Sequence, residues 1–343
     1  MAQSTTTTMP ETMKAWLYSS ATGGLEKNLE LNPTARAPST LRPNEVLIQV
    51  ISASINPADY KVPEGSLLVA KALITTPASP GIEFAGRVVV TGPAVKDFQP
   101  DQLVYGSLGT PCQFGSLAEY VVCKESNLVR MQDGVDPDHV ATVGIAGQTA
   151  YQSIKPYVSA GDKVFINGGS GGCGIYAIQI AKALGCHVTT TCSTRNVDFC
   201  KDLGADEVID YSTEDVMALL KSKGQVYSLV VDHVATPDNL YRESDSFLLP
   251  GKAFVQVGAS SMLTFAHRLV RPSFLGGGKR KYVIMLTQVK KDDLAQVGDW
   301  IQQGKVKVIL DSTYEFDDAV KAFEKLRTQR SRGKIVIHVS DKP

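Results

Sequence analysis

No stretch of this chain comes near the ~20 consecutive apolar residues that would cross a bilayer; runs such as 226–231 stop far short. A surplus of charge is missing too: 35 Lys plus Arg are balanced by 35 Asp plus Glu. No net field therefore gathers phosphate backbones or anionic lipid, and neither nucleic acid nor a membrane is expected as a partner. The six cysteines, at 112, 123, 173, 186, 192 and 200, form no CxxC pair and no regular spacing. That pattern excludes a disulfide framework or a thiolate zinc site and leaves reduced, structural thiols. Residues 1–13 hold no Lys, no Arg and no apolar block, so neither a secretory signal nor an Arg-rich transit peptide is expected. Residues 1–12 read as a disordered tail, and the expected location is cytoplasmic.

What is present is ordinary globular material, with 43% hydrophobic and 20% charged residues over 343 positions. At roughly 150 residues per domain that length predicts two domains. From Met13 to about Asp133 the texture is β: Val46, Ile48 and Val50 alternate with Leu47 and Gln49, and short β-rich runs at 81–92 and 117–123 are set off by Gly and Pro. After Pro137 strands and helices alternate, with strands expected at 163–168, 187–193, 206–211, 228–233, 252–259 and 281–286. Six strands with helices between them predict a doubly wound parallel sheet, hence an α/β fold beside a β-rich domain. The tail adds a helix near 293–303, a strand at 306–310, an amphipathic helix from Asp317 and a closing strand at 334–339, and is expected to return to the first domain. The expected boundaries are 13–135 with 288–343 for the β-rich domain and 136–287 for the other.

The strand KVFING runs into Gly169, Ser170, Gly171, Gly172, Cys173 and Gly174, and then into the apolar helix IYAIQIAKALG. A glycine fingerprint between a strand and a helix meets the context required of a dinucleotide loop. Gly169 would permit the tight turn, Gly171 the approach of a pyrophosphate, and Gly174 close packing of helix on strand, with the helix N-terminus supplying N–H donors. About 20 residues on, where an NAD site places a carboxylate, the chain reads Cys192, Ser193, Thr194, Arg195, Asn196. A guanidinium flanked by hydroxyls suits a 2′-phosphate, which favours NADPH; the alternative is a solvated Arg195. Tyr211, closing the third strand, either reaches the same phosphate or is an ordinary strand-end aromatic.

These parts, together with INPADYK (55–61), PGIEFAGRV (80–88), AGQTAYQSI (146–154), LGADEVIDY (203–211), SFLGGGKRKY (273–282) and RGKIVIHV (332–339), resemble the medium-chain dehydrogenase/reductase superfamily. Within it they are similar to the zinc-free quinone oxidoreductase and enoyl reductase branch, which includes chloroplast-envelope quinone oxidoreductase homologues and trans-acting enoyl reductases of fungal polyketide pathways. The resemblance implies a GroES-like catalytic domain, a Rossmann domain and NADPH. Zinc-dependent relatives carry a Cys near the SINPADY position and a His in a GHE-type motif. This chain has Ile55, Asn56 and Pro57 at the first and Gly81, Ile82 and Glu83 at the second, so no metal is expected.

Without a Lewis acid, reduction of an activated C=C bond fits better than alcohol or ketone chemistry. Asn56 and Asp59 are expected to close the INPADYK turn, since Asx side chains bond their own backbone. The resemblance adds Asn56 to the cofactor contacts and sets Lys61 and Thr149 beside the nicotinamide and substrate. Each also has a plain reading, as a surface charge and a helix-packing hydroxyl. Tyr60 and Tyr151 are candidate proton donors or pocket walls. The resemblance also brings Gly258, Ala259, Leu275, Gly276, Gly333 and Lys334 to the cofactor; the KRKY run at 279–282 reads as a solvated basic loop. The expected activity is NADPH-dependent reduction of an enone, quinone or enoyl substrate. The alternative is a trans-acting or NADPH-binding partner of a biosynthetic synthase, and a homodimer is also open.

Overall fold

The computed structural model describes residues 9–65, 68–258 and 278–342. It divides into two compact units, one of residues 1–145, 288–302 and 310–343, the other of residues 146–287 and 303–309. Residues 1–8 of the expected tail lie outside the described residues, and Thr12 already begins the first strand.

In the first unit β1 (Thr12–Leu17) pairs antiparallel with β2 (Glu30–Arg36). A larger sheet runs β14 (Leu310–Glu315), β15 (Lys334–His338), β3 (Glu45–Ile55), β4 (Glu83–Thr91), β5 (Leu103–Ser107), β7 (Leu128–Arg130), with β6 (Tyr120–Lys124) also on β3. The long central strand β3 has partners along both edges, so nine of its eleven residues are buried. Val46, Ile48 and Val50 enter one core with Phe84, Val121 and Ile335, as the alternation predicts. The helix Ala319–Arg327 closes over that core through Ala319, Ala322 and Phe323, an i, i+3, i+4 stripe.

The second unit is a six-stranded, all-parallel sheet ordered β10 (Glu207–Asp210), β9 (His187–Cys192), β8 (Lys163–Asn167), β11 (Tyr227–Asp232), β12 (Leu248–Gln256), β13 (Lys281–Ile284). Counted within the unit this is 3-2-1-4-5-6, the doubly wound order whose direction reverses between β8 and β11. Its inner strands are buried nearly throughout and lack a polar alternation, as a sheet covered on both faces requires. One expected strand falls elsewhere. Residues 306–310 were expected to pair, but pairing begins at Leu310; upstream, the backbone N–H and C=O of Lys307 are both satisfied by the Gln179 side chain, at 2.7 and 2.9 Å. A glutamine amide replaces the neighbouring strand there.

The end of β15 is tied by His338, whose Nε2 lies 2.9 Å from Asp138 and whose Nδ1 lies 3.2 Å from Glu315. Burial alone pulls this imidazole's pKa down, but the two carboxylates outweigh it and the net direction is up. A raised folded pKa gives stability that is complete below the unfolded value of 6.5 and fades as pH rises through the folded one. The Tm gap between wild type and His338→Leu is therefore expected to be widest near pH ~5.5 and to narrow by pH ~8. A gap independent of pH would show that the imidazole contributes by packing alone.

Candidate functional site

In the second unit the phosphate loop leaves β8 at the point where strand order reverses. Gly168, not Gly169, takes the left-handed conformation, with φ of 93°. Gly169 is needed for another reason: a Cβ there would strike Thr190 on β9 and Ile178. A Cβ on Gly174 would collide with the Gly168 carbonyl, so the helix Gly174–Ala183 sits directly on the turn. Gly171 differs, because the nearest atom to its would-be Cβ is 3.8 Å away. Two glycines are closed by protein and the one between them faces open space, the cradle a pyrophosphate needs.

A chain of hydrogen bonds across three strand ends holds this loop. The Gly168 N–H donates to Thr191 Oγ1 (2.9 Å), Thr191 donates to Asn167 Oδ1 (2.7 Å), and Asn167 Nδ2 donates to Asp232 Oδ1 (2.8 Å). Asp232, fully buried, also accepts from the N–H groups of Val234 and Ala235. Sequence reasoning missed Asn167, Thr191 and Asp232; the available signal was a polar residue at or near the end of each of three adjacent strands. Beside Asp232, burial lowers the pKa of His233 to about 4, and neither ring nitrogen has a hydrogen-bond partner among the described residues. Gly258 packs under the His233 carbonyl.

Ser170 and Ser193 are joined through Asn196, whose Nδ2 donates to both hydroxyls at 3.1 and 3.3 Å. Asn196 is a further residue the sequence reading passed over. Thr194 and Arg195 are exposed, and Tyr211 is 58% exposed at the adjoining strand end. A hydrogen bond from Thr194, first among several, holds the Asp210 carboxyl below its ordinary range. Thr149, on the helix Gln148–Ile154, is buried with its hydroxyl 2.5 Å from that of Thr287. Ala259, Leu275 and Gly276 lie outside the described residues.

In the first unit the INPADYK segment enters the short helix Pro57–Lys61. Asp59 closes the turn by accepting from the Asn56 N–H (2.6 Å), while the Asn56 amide reaches outward, donating to Glu83 Oε1 (2.7 Å) and accepting from Lys334 Nζ (2.6 Å). Lys334, preceded by the left-handed Gly333 (φ 103°), is buried against Glu83 at 2.8 Å. Burial, with Glu83 adding to it, raises the Asp59 pKa to about 7. Tyr60 lies under the Arg327 guanidinium, 4.4 Å from the ring centroid, and Arg327 is paired with Glu26 and Glu64. Lys61 is half-buried, which lowers its pKa, and no ion pair or hydrogen bond engages its ammonium among the described residues.

Comparison with known proteins matches two families to different parts of the chain. The alcohol dehydrogenase GroES-like domain family matches residues 42–133, and a family described as zinc-binding dehydrogenase matches residues 203–337. A trans-enoyl reductase of Aspergillus terreus, pgmF, is 46% identical over 97% of this chain and 98% of its own. The chain belongs to the medium-chain dehydrogenase/reductase superfamily. An NADPH-dependent alkenal/one oxidoreductase of Arabidopsis thaliana chloroplasts is 30% identical over 96% of this chain and 80% of that protein. The solved quinone oxidoreductase from Coxiella burnetii superposes with a TM-score of 0.84 at 31% identity, over 96% and 99% of the two chains.

As a member of this superfamily the protein is an oxidoreductase that uses a nicotinamide cofactor, and the open glycine cradle fits that group. Zinc does not fit. Among the described residues no three His, Cys, Asp or Glu side chains gather to hold a metal ion, and Ile55, Asn56 and Ile82, at the positions where the resemblance would set zinc ligands, offer neither imidazole nor thiolate.

Two outcomes are expected from this geometry. Gly171→Ala should keep the wild-type Tm yet weaken cofactor binding by about tenfold or more, whereas Gly174→Ala should lower both. Equal Tm losses in a thermal melt would show that Gly171 is a packing glycine. For Asp59, a folded pKa raised from 3.8 to about 7 means that stability is highest below 3.8 and is lost as pH rises through the folded value. Asp59→Asn, which keeps an acceptor for the Asn56 N–H, should flatten the Tm profile across that window; an unchanged slope would place the titration elsewhere.

Proposed function

We propose that the chain is an NADPH-dependent reductase of activated C=C bonds in enones, quinones or enoyl thioesters, working without zinc. The observation that carries this reading is Lys61: a half-buried ammonium at the end of a rigid turn, with no partner of its own among the described residues. Such a group is free to donate to an oxygen on which charge develops.

When bound, the nicotinamide supplies a hydride to the substrate's β-carbon. Negative charge then develops on the conjugated carbonyl oxygen. Lys61 is the donor for that oxygen in the first unit; in the second unit Thr149, its hydroxyl held against Thr287, is the donor on the cofactor-binding side. The α-carbon takes its proton from a neutral donor. Burial keeps the Tyr60 hydroxyl protonated, so Tyr60, Tyr151 and solvent water are the candidate sources, and Tyr60→Phe beside Tyr151→Phe separates them. Arg195, exposed beside Ser193 and Tyr211, is the contact for a 2′-phosphate and the ground for NADPH over NADH; the Arabidopsis relative is itself an NADPH-dependent oxidoreductase. Six cysteines outside any disulfide suit a reducing compartment, consistent with the cytoplasm. A second reading, favoured by the 46% identity to pgmF, is that the enoyl group arrives on a partner synthase rather than as a free molecule.

Cofactor oxidation measured over enones, quinones, free enoyl thioesters and carrier-bound enoyl chains tests both readings. Turnover confined to the carrier-bound chain selects the second, and no turnover on any of these acceptors refutes the reductase. Lys61→Ala and Thr149→Val should each lower kcat by about a hundredfold with NADPH affinity little changed. Arg195→Ala should weaken NADPH by about 1.5–3 kcal/mol and leave NADH nearly unaffected, because only the phosphate loses a charged hydrogen bond. EDTA should leave the rate intact; loss restored by zinc alone would overturn the metal-free chemistry.

A further inference from the structure

Lys334 is the first residue of β15, and its side chain is 3% exposed. Removing an ammonium from water costs several kcal/mol unless its protons are answered. Here three oxygens answer them: Glu83 Oε1 at 2.8 Å, Asn56 Oδ1 at 2.6 Å and the Ile55 carbonyl at 3.3 Å. An ammonium has three donors, so this set uses them all. None remains for a ribose or a phosphate. Two of the three oxygens belong to consecutive residues that lead into the helix Pro57–Lys61, and the third sits on the neighbouring strand β4. Glu83 is itself fully buried, accepts from Asn56 Nδ2, and uses its other oxygen on the Ile145 N–H at 2.5 Å. On its far side Asn56 is held through its own N–H by Asp59.

Buried ion pairs are poor devices for stability, because desolvation offsets most of the attraction. What this one does enforce is position. We infer that Lys334 is the positioning residue of the Lys61 turn: its ammonium draws Ile55 and Asn56 onto Glu83, fixes where the helix Pro57–Lys61 begins, and so sets where the Lys61 ammonium is held, without touching the cofactor. The inference rests on the reading that Lys61 acts on the substrate. It gives Lys334 and Asn56, expected at the cofactor, an interior role in place of a binding one.

The experiment uses the full chain with NADPH and an enone it turns over, and follows kcat, the NADPH Kd by fluorescence titration, and Tm. Lys334→Met should lower kcat about tenfold or more while the NADPH Kd stays within about twofold. Because this variant leaves Glu83 buried and unpaired, Lys334→Met/Glu83→Gln is made beside it. Removing the orphaned charge should return Tm toward wild type. The rate should stay low, since Ile55 and Asn56 remain without their donor. In a Lys61→Ala background, adding Lys334→Met should cost no further rate, because the two act in series. A tenfold rise in the NADPH Kd would make Lys334 a cofactor contact and overturn the inference. Recovery of kcat together with Tm in the double variant would reduce it to a structural ion pair, and an additive loss in the Lys61→Ala background would show it acting elsewhere. Wild-type turnover by Lys61→Ala would overturn the parent reading, whereas wild-type turnover by Lys334→Met beside an impaired Lys61→Ala overturns this inference alone.

Discussion

A carboxylate buried without solvent must be answered by a cation or by a set of hydrogen-bond donors, and Glu83 is answered by both. Its position at the start of β4, fully enclosed, obliges β15 to bring Lys334 and the INPADYK segment to bring Asn56 to the same place. Three segments far apart in the chain, around residues 56, 83 and 334, are thereby brought to one place, and the register of β15 on β3 follows from it, with Ile335 opposite Ile55. The unbranched helix Pro57–Lys61 is only five residues long and could not hold a geometry by its own hydrogen bonds. Its order is borrowed from that cluster on one side and from Arg327, laid over Tyr60, on the other.

The second unit solves a similar problem with neutral groups. Parallel strands end with unpaired backbone polar groups at the edge where a ligand is to sit, and these must be satisfied without filling the site. Thr191, Asn167 and Asp232 do this by bonding sideways to one another and to the loop N–H groups. Gly168 is thus held from below, and the space above Gly171 stays open.

The fold was largely legible in the sequence because its signals are local. Continuous apolar strands alternating with helices identified the parallel sheet, period-2 alternation identified β3, and the glycine run between KVFING and an apolar helix located the phosphate loop. The misplaced strand at 306–310 failed because a glutamine side chain can satisfy a backbone as a strand does, and nothing local in Gln179 announces that its partner is Lys307. The same limit governs the site. Lys61 and Thr149 were visible as residue types in motifs, but that Lys61 lacks an ion partner among the described residues, and that Thr149 meets Thr287, depends on contacts distant in sequence. Lys334 shows the limit most clearly. By resemblance it is expected at the cofactor, and only the enclosed carboxylate of Glu83, 251 residues away, turns it inward.

That inward lysine bears on which acceptors the proposed site can serve. A divalent ion polarises any carbonyl it touches, so a zinc site reduces plain ketones by stabilising a full alkoxide. Here the charge of Glu83 is neutralised by an ammonium whose protons are spent inside the fold, and that cation gives nothing to the substrate. The donors we propose in its place are discrete ones, the Lys61 ammonium in one unit and the Thr149 hydroxyl in the other, each worth about 3 kcal/mol against developing charge. Two such donors fall well short of a Lewis acid for an isolated alkoxide. They suffice where conjugation has already delocalised the charge and separated the carbon that receives hydride from the oxygen that holds the charge. On this argument the preference for enones, quinones and enoyl thioesters follows from the limited donor strength left once the interior has taken its lysine.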